Sequence, residues 1–359
     1  MSTPVNKRAA TRAQFGRILP PDAEWLSNTP PEPILEPELP IIDTHHHLWD
    51  RPLNRYLLEE LFADTGAGHK LVATVFAECN SMYRISGPIE MRPVGQTEFV
   101  AAMAAMSESG AYGPTRVAAG IVGYADLGLG DRVTPVLEAH IAAAGGRFRG
   151  VRYSANWDAS DVIGNGHGVT GPGRLREPAV RAGIARLAQL GLCFDAWVFH
   201  PQLADVGDLA KALPDLSIVL EHVGGPLGYG PYTGKHDEVY ASWKSSMTEL
   251  ARHANISVKL GGMMMRLATF NYLAVERPPS STELAVHWRP YIETCIELFG
   301  AERCMFESNF PVEKMGTSYA TLWNAFKRIT AGASAAEKHM LYSGTAKRVY
   351  RLADACNEL

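Results

Sequence analysis

The amino-acid sequence predicts an α/β fold, a (β/α)8 barrel, on three observations. Eight short, nearly continuous apolar runs recur along the chain, and longer stretches of helical periodicity separate most of them. The residues that end the runs are polar and rich in imidazole and carboxylate. Strands that are apolar throughout are buried on both faces, the condition of a parallel sheet covered by helices. Eight strand–helix units on one chain fit a closed barrel better than an open doubly wound sheet.

The apolar runs are Pro40–Asp43, Leu71–Glu78, Val117–Val122, Phe148–Tyr153, Leu192–Phe199, Ser217–Glu221, Ile256–Leu260 and Arg303–Glu307. Helical periodicity marks Thr97–Ser109, Thr134–Ala144, Pro178–Leu190, Leu203–Leu213, Val239–His253 and Leu284–Phe299. Tyr319–Ile329, Ala335–Leu341 and Ala346–Leu352 follow the eighth strand as closing helices. Before the first strand, Pro20-Pro21, Pro30-Pro31-Glu32-Pro33 and Glu36-Pro37 break any long helix or central strand, because proline fixes φ and lacks a donor. The expectation is an extended N-terminal arm over residues 1–39 and one barrel domain over 40–359.

Composition narrows the partners. A chain of 359 residues with 46% hydrophobic and 20% charged residues is globular. Its formal net charge of −4 carries no electrostatic footprint for nucleic acid or an anionic membrane. No uninterrupted apolar stretch approaches the length of a membrane span. The expected partner is a small-molecule substrate, and a homo-oligomer is left open. Cys79, Cys193, Cys295, Cys304 and Cys356 are scattered, odd in number and free of any CxxC pair. Neither a disulfide framework nor a cysteine zinc site is suggested, which points to a reducing compartment. Lys7, Arg8, Arg12 and Arg17 leave a transit peptide open, but the N-terminus lacks the apolar core of a secretory signal, so the cytoplasm is the expected location.

A barrel places its chemistry where strands finish. The strand ends supply His45 and His47, Glu78, Asp126, Arg152, His200, His222, Lys259, and then Ser308-Asn309. The first end is the most informative: Ile41-Ile42-Asp43-Thr44-His45-His46-His47 leads an apolar run straight into three histidines. Alternation along a strand points Asp43, His45 and His47 one way and His46 the other. Imidazoles at i and i+2 then converge on one cation or one substrate. Arg152 is suited to gripping a carboxylate bidentately, or to an ion pair at the barrel mouth. Tyr83 and Arg84 follow strand two and are placed at the same mouth. Lys259 is expected either at the mouth or in a structural bridge to Glu78, and Asp126 as a helix cap. Gly228-Tyr229-Gly230-Pro231-Tyr232-Thr233-Gly234 lacks the strand–turn–helix setting of a dinucleotide site and reads as a loop over the mouth. Gly261-Gly262 lets the chain turn tightly after strand seven.

In this order and at barrel spacing, five segments resemble the amidohydrolase-related branch of the amidohydrolase superfamily. They are Asp43-Thr44-His45-His46-His47, Phe148-Arg149-Gly150-Val151-Arg152, His200-Pro201-Gln202-Leu203, Glu221-His222-Val223-Gly224-Gly225-Pro226 and Phe306-Glu307-Ser308-Asn309-Phe310-Pro311. The resemblance implies a distorted TIM barrel that hydrolyses a cyclic ester or a similar carbon–oxygen or carbon–nitrogen bond. It also implies a divalent metal, zinc or manganese, held by His45, His47, His200 and His222. The superfamily's strand-eight acid is replaced here by Asn309, whose amide is uncharged and cannot act as a base. Either the metal is held weakly, or the site works without one, or another acid stands in, with Glu307, Glu78 and Asp195 as candidates. The expected catalytic residues are His222, Glu78, Asn309 and Glu307, and the expected substrate contacts are Arg152, Tyr153, Tyr83 and Arg84. The expected activity is that of a lactonase opening a small carboxylated ring. The alternatives are a metal-dependent decarboxylase of the same superfamily and a non-catalytic binding protein on a decayed barrel.

Overall fold

A computed structural model describes residues 20–166, 168–169, 171–265, 267 and 275–352. Eight parallel strands follow one another round a barrel: β1 Ile41–His46, β2 Leu71–Ala77, β3 Arg116–Gly123, β4 Phe148–Ser154, β5 Cys193–Trp197, β6 Ile218–Leu220, β7 Ile256–Leu260 and β8 Cys304–Phe306. Helices Leu58–Thr65, Val94–Glu108, Thr134–Ala143, Pro178–Gln189, Leu203–Ala212, His236–Leu250, Ser281–Phe299 and Tyr319–Ile329 cover it. Their apolar faces join the outward strand residues in one continuous core.

Two elements escape the periodic reading. A hairpin pairs Trp49–Arg51 with Asn54–Tyr56, and the helix Leu58–Thr65 follows it. That helix has only eight residues, too few for its buried pair Leu58 and Leu61 to establish a period. Helix starts also lie three residues earlier than the apolar stripe suggests at Val94, His236 and Ser281. At Ser281 the cause is a capping box, with Ser280 and Glu283 satisfying each other's backbone donors. The last stretch does not form two helices of equal kind. Ala335–His339 runs into a π turn at Met340–Gly344 before Thr345–Val349.

The ladder is continuous from β1 to β8, and the seam between these two strands is stitched largely by side chains. Thr44 Oγ1 donates to Phe306 O at 2.8 Å. Asp43 accepts from Ser308 N–H at 2.8 Å, from Ser308 Oγ at 2.5 Å and from Tyr319 OH at 2.9 Å. Higher up, backbone bonds run from Asn309 N–H to His45 O and from His47 N–H to Phe310 O, both 2.8 Å. Asp43 therefore serves the seam and does not join the histidines, a departure from strict alternation. The register between β1 and β2 shifts between Asp43 and His46, which breaks the two-residue period there.

Inside the barrel Lys259 bonds Asp195 at 2.8 Å and Glu221 at 3.3 Å, not Glu78. Tyr350 OH closes the floor on Asp195 at 2.7 Å. Asp195 is thus committed below the mouth and is not the missing acid. The chain ahead of β1 lies on the last helices: Asn324 Nδ2 donates to Pro33 O, and Lys327 Nζ donates to Leu35 O and Glu36 O. Among the described residues no helix is long and apolar enough to cross a membrane. The four described cysteines are buried free thiols, and Cys356 lies outside the described residues.

Candidate active site

The end of β1 brings two imidazoles together: His45 Nε2 and His47 Nε2 are 3.3 Å apart. His46 points away, 2.8 Å from Thr74 Oγ1, and burial pushes its pKa down to about 3. From β6, His222 packs beside His45 with ring centroids 4.9 Å apart. From beyond β8, Asn309 Oδ1 lies 3.2 Å from His47 Nε2. Backbone conformation aids the delivery: His222 and Asn309 both have φ of +53°, a left-handed state tolerated best by asparagine and costly elsewhere. Room for His222 comes from β7's following loop. A Cβ on Gly262 would sit 2.0 Å from His222 Nδ1, so no other residue fits without displacing the ring.

Carboxylates and a carbonyl stand behind the histidines. Glu307 Oε1 accepts from His222 Nδ1 at 2.7 Å and from His222 N–H at 3.0 Å. His45 Nδ1 lies 2.8 Å from Glu307 Oε2 and 3.3 Å from Glu221 Oε1, a close charge pairing off the hydrogen-bond line. His47 Nδ1 donates to Ala77 O at 2.8 Å. His47 Nδ1 and His222 Nδ1 therefore donate to their backing oxygens, and the carboxylates near His45 Nδ1 favour a proton there as well. A neutral imidazole protonated at Nδ1 keeps a lone pair on Nε2.

The charges follow from this packing. Burial disfavours the charged form of His45, but Glu221 and Glu307 outweigh it and raise its pKa. Burial, then the charge on His45, holds His47 well below the ordinary histidine range. Burial also lowers His222 against the pull of Glu307. For Glu307, burial is overcome by His222 and His45 and its pKa falls. Burial opposes charge on Glu221 too, but Arg152, His45 and Lys259 hold it well below the carboxylate range.

The Nε2 atoms of His45 and His47 and the amide oxygen of Asn309 thus meet at one place, and His222 Nε2, on the ring packed beside His45, has no hydrogen-bond partner. Ligand atoms of His45, Glu221 and His222 also lie within 4.8 Å of one another. Such a set fits a divalent cation. Metal-bound histidines characteristically give their second nitrogen to a carboxylate or carbonyl, as His47 and His222 do here, while His45 Nδ1 lies beside Glu307 and Glu221 as a charge pair. The surroundings point the same way, because the buried carboxylates Glu221 and Glu307 stand directly behind His45 and His222 and favour positive charge there.

The remaining sequence candidates divide. Arg152 is at the mouth, but its Nε is bound to Glu221 at 2.6 Å and its Nη1 to Glu78 O at 3.1 Å. Glu78 Oε2 accepts from Asn80 N–H at 3.2 Å. Tyr153 and Tyr83 flank Tyr124, with parallel rings and centroids 6.3 and 6.5 Å from it. Arg84 pairs with Glu98 on the surface. His200 is not brought to the cluster. Its Nδ1 accepts from Leu227 N–H at 3.3 Å, its ring meets Tyr232 edge-on, and burial pushes its pKa down to about 4. Asp126 caps the turn that follows it, accepting from Gly128 N–H at 2.9 Å. Four site residues emerge only from the structure. Glu221 had a signal, an acid beside a histidine at the end of an apolar strand. Tyr124 follows a strand end in the same way. Trp197, edge-on to His222 at 4.6 Å, had none, and neither had Glu313, a buried carboxyl whose pKa burial pushes up to about 8.

The family profile described as amidohydrolase matches residues 42–352. The chain belongs to the amidohydrolase family. Family membership and the lactonase relatives together make it a hydrolase. This amidohydrolase is 32% identical over 329 residues to a Sinorhizobium fredii protein designated y4mH, covering 88% of this chain and 99% of that one. It is 26% identical over 317 residues to L-fucono-1,5-lactonase of Burkholderia multivorans, covering 87% and 96%. A crystal structure of a Burkholderia multivorans amidohydrolase with bound zinc shares the fold, with TM-score 0.66, 24% identity and coverage of 87% and 99%. So does 5-carboxyvanillate decarboxylase from Sphingomonas paucimobilis, with TM-score 0.52, 13% identity and coverage of 87% and 99%.

Proposed function

We propose that this amidohydrolase is a lactonase that opens the ring of a small sugar-acid lactone. The observation that carries the reading is the buried cluster of His45, His47, His222 and Asn309, backed by Glu307 and Glu221. His45, His47 and His222 would hold a divalent cation, zinc or manganese, with Asn309 Oδ1 beside them; His200, engaged with Leu227 and Tyr232, is left out of this set. When bound, the cation supplies a polarised carbonyl and a water of lowered pKa. The protein's own groups orient and charge-balance the site. Glu307 fixes the tautomers of His45 and His222, and Ala77 O fixes that of His47. Water adds to the lactone carbonyl, the ring carbon–oxygen bond breaks, and the released alkoxide takes a proton to give a hydroxy acid.

Substrate class follows from Arg152. Its guanidinium is paired with Glu221 through Nε and held by Glu78 O through Nη1, so its charge is already partly balanced before a substrate arrives. This favours an uncharged lactone over the carboxylated ring expected from sequence. The full-length likeness to an L-fucono-1,5-lactonase supports the same class. The row Tyr83, Tyr124 and Tyr153 supplies flat apolar faces for the C–H side of a sugar ring, with hydroxyls for its polar edge.

A second reading is favoured by Asn309, which brings no charge to the cluster, and by Glu221 and Glu307, which raise the His45 pKa and so favour its charged form. In it, His222 Nε2 takes the proton of water, and Glu307 stabilises the resulting imidazolium. Chelation separates the two. Hydrolysis of L-fucono-1,5-lactone that disappears with chelator and returns with zinc or manganese supports the first. Full turnover in metal-free protein supports the second. No ring opening of any aldonolactone in either form overturns both.

A further inference from the structure

Glu313 is fully buried, four residues beyond Asn309, and the proposed chemistry leaves it without a task. Its Oε1 accepts from Asn309 Nδ2 at 3.3 Å, and its Oε2 accepts from Met264 N–H at 2.8 Å. Met264 belongs to the loop after β7, so this one carboxyl ties two mouth loops together. The backbone of Asn309 is fixed independently, by its N–H on His45 O at 2.8 Å and its carbonyl under Glu313 N–H at 3.2 Å. Only rotation of the side-chain amide remains free.

That rotation matters because an amide has a donor end and an acceptor end. His47 Nδ1 donates to Ala77 O, so His47 Nε2 is a lone pair. Left to itself, Asn309 would turn its NH2 toward that lone pair and make a good hydrogen bond. The structure has the opposite arrangement, with the amide oxygen 3.2 Å from His47 Nε2. The orientation runs against its nearest neighbour, so another group must impose it. Glu313 is in position to do so, because Oε1 remains an acceptor for Nδ2 whether or not Oε2 carries a proton.

We propose that Glu313 is a positioning residue that holds the Asn309 amide with its oxygen turned into the histidine cluster, where it completes the donor set for a divalent cation. This rests on the metal-loaded lactonase reading above. A glutamine at 313 has one acceptor oxygen for two donors, so either Asn309 or Met264 loses its partner.

The test is a double-mutant cycle of E313Q, N309A and N309A/E313Q in the full chain. It is read by melting of metal-free protein, by titration with cobalt(II) through its visible absorption, and by kcat and KM on L-fucono-1,5-lactone. Expected is a cobalt affinity about tenfold weaker in E313Q, with kcat lowered about tenfold and KM nearly unchanged. On the N309A background the same change should cost less than about twofold. An equal cost of E313Q on both backgrounds overturns the proposal, since Glu313 then acts through Met264 alone. Coupling confined to melting, with neither cobalt affinity nor kcat moved, also overturns it. Should the wild type prove inactive on lactones, the lactonase reading fails while the cobalt arm still decides the role of Glu313.

Discussion

Substituting Glu307 by glutamine probes the whole cluster with one isosteric change. Glu307 Oε1 carries two bonds from His222, so the glutamine oxygen stays there and the new NH2 faces His45 Nδ1. Two donors then oppose each other in a fully buried site, at a cost of about 1–3 kcal/mol. The way out is for His45 to move its proton to Nε2, which lies 3.3 Å from His47 Nε2. That proton occupies the lone pair a cation needs. Loss of such a backing group typically costs about 10- to 100-fold in metal affinity or activity, equivalent to about 1.4–2.7 kcal/mol. E307Q should therefore bind zinc about 10- to 100-fold more weakly in competition with a chromophoric chelator. Its kcat/KM should fall to match, with a circular-dichroism spectrum unchanged at room temperature. Wild-type zinc affinity together with wild-type kcat/KM in E307Q would refute the tautomer argument.

Two further outcomes are expected. Gly262→Ala places a methyl 2.0 Å from His222 Nδ1 at a φ of +65°, which adds about 1–2 kcal/mol of backbone strain and pushes the ring aside. Its kcat/KM should drop about 100-fold, and activity near wild type would show that His222 need not sit where it does. Away from the site, burial holds His140 neutral and pushes its pKa down from 6.5 to about 4. The unfolded chain binds that proton more readily, so stability is full above pH 6.5 and is lost as pH falls toward 4. H140Q should flatten the fall in melting temperature across that window, and an unchanged slope would exclude His140 as a contributor.

The parts of the site legible in sequence were those set by local periodicity. His45 and His47 are two residues apart on a strand, and convergence follows from strand geometry alone. Gly261-Gly262 announced a tight turn, although not that His222 would fill the space beside Gly262. The strand order was legible because apolar runs and helical stretches alternate. What could not be read were relations across the barrel. Nothing near Asp43 in sequence says that Ser308 and Tyr319 will claim both its oxygens. His200 follows a strand end as His222 does, but the chain turns it toward Leu227 and Tyr232. The direction of the Asn309 amide depends on a carboxyl one helical turn away and a loop from another strand. The short helix Leu58–Thr65 was hidden for a simpler reason, since eight residues cannot display a period.

The seam between β1 and β8 gives these local facts a common consequence. At the mouth, the bonds that close the barrel are made by Asn309 and Phe310 to His45 and His47. Three of the four residues in that clasp, His45, His47 and Asn309, also belong to the histidine cluster. Parting the seam there dissolves the site, and whatever fastens the site's side chains fastens the hoop. A ligand gripped by these histidines would act as a rivet, adding its binding free energy to the resistance of the barrel against opening at this one place. Amide exchange of Asn309 and His47 should then slow on loading while exchange in β5, on the far side of the hoop, stays as it was.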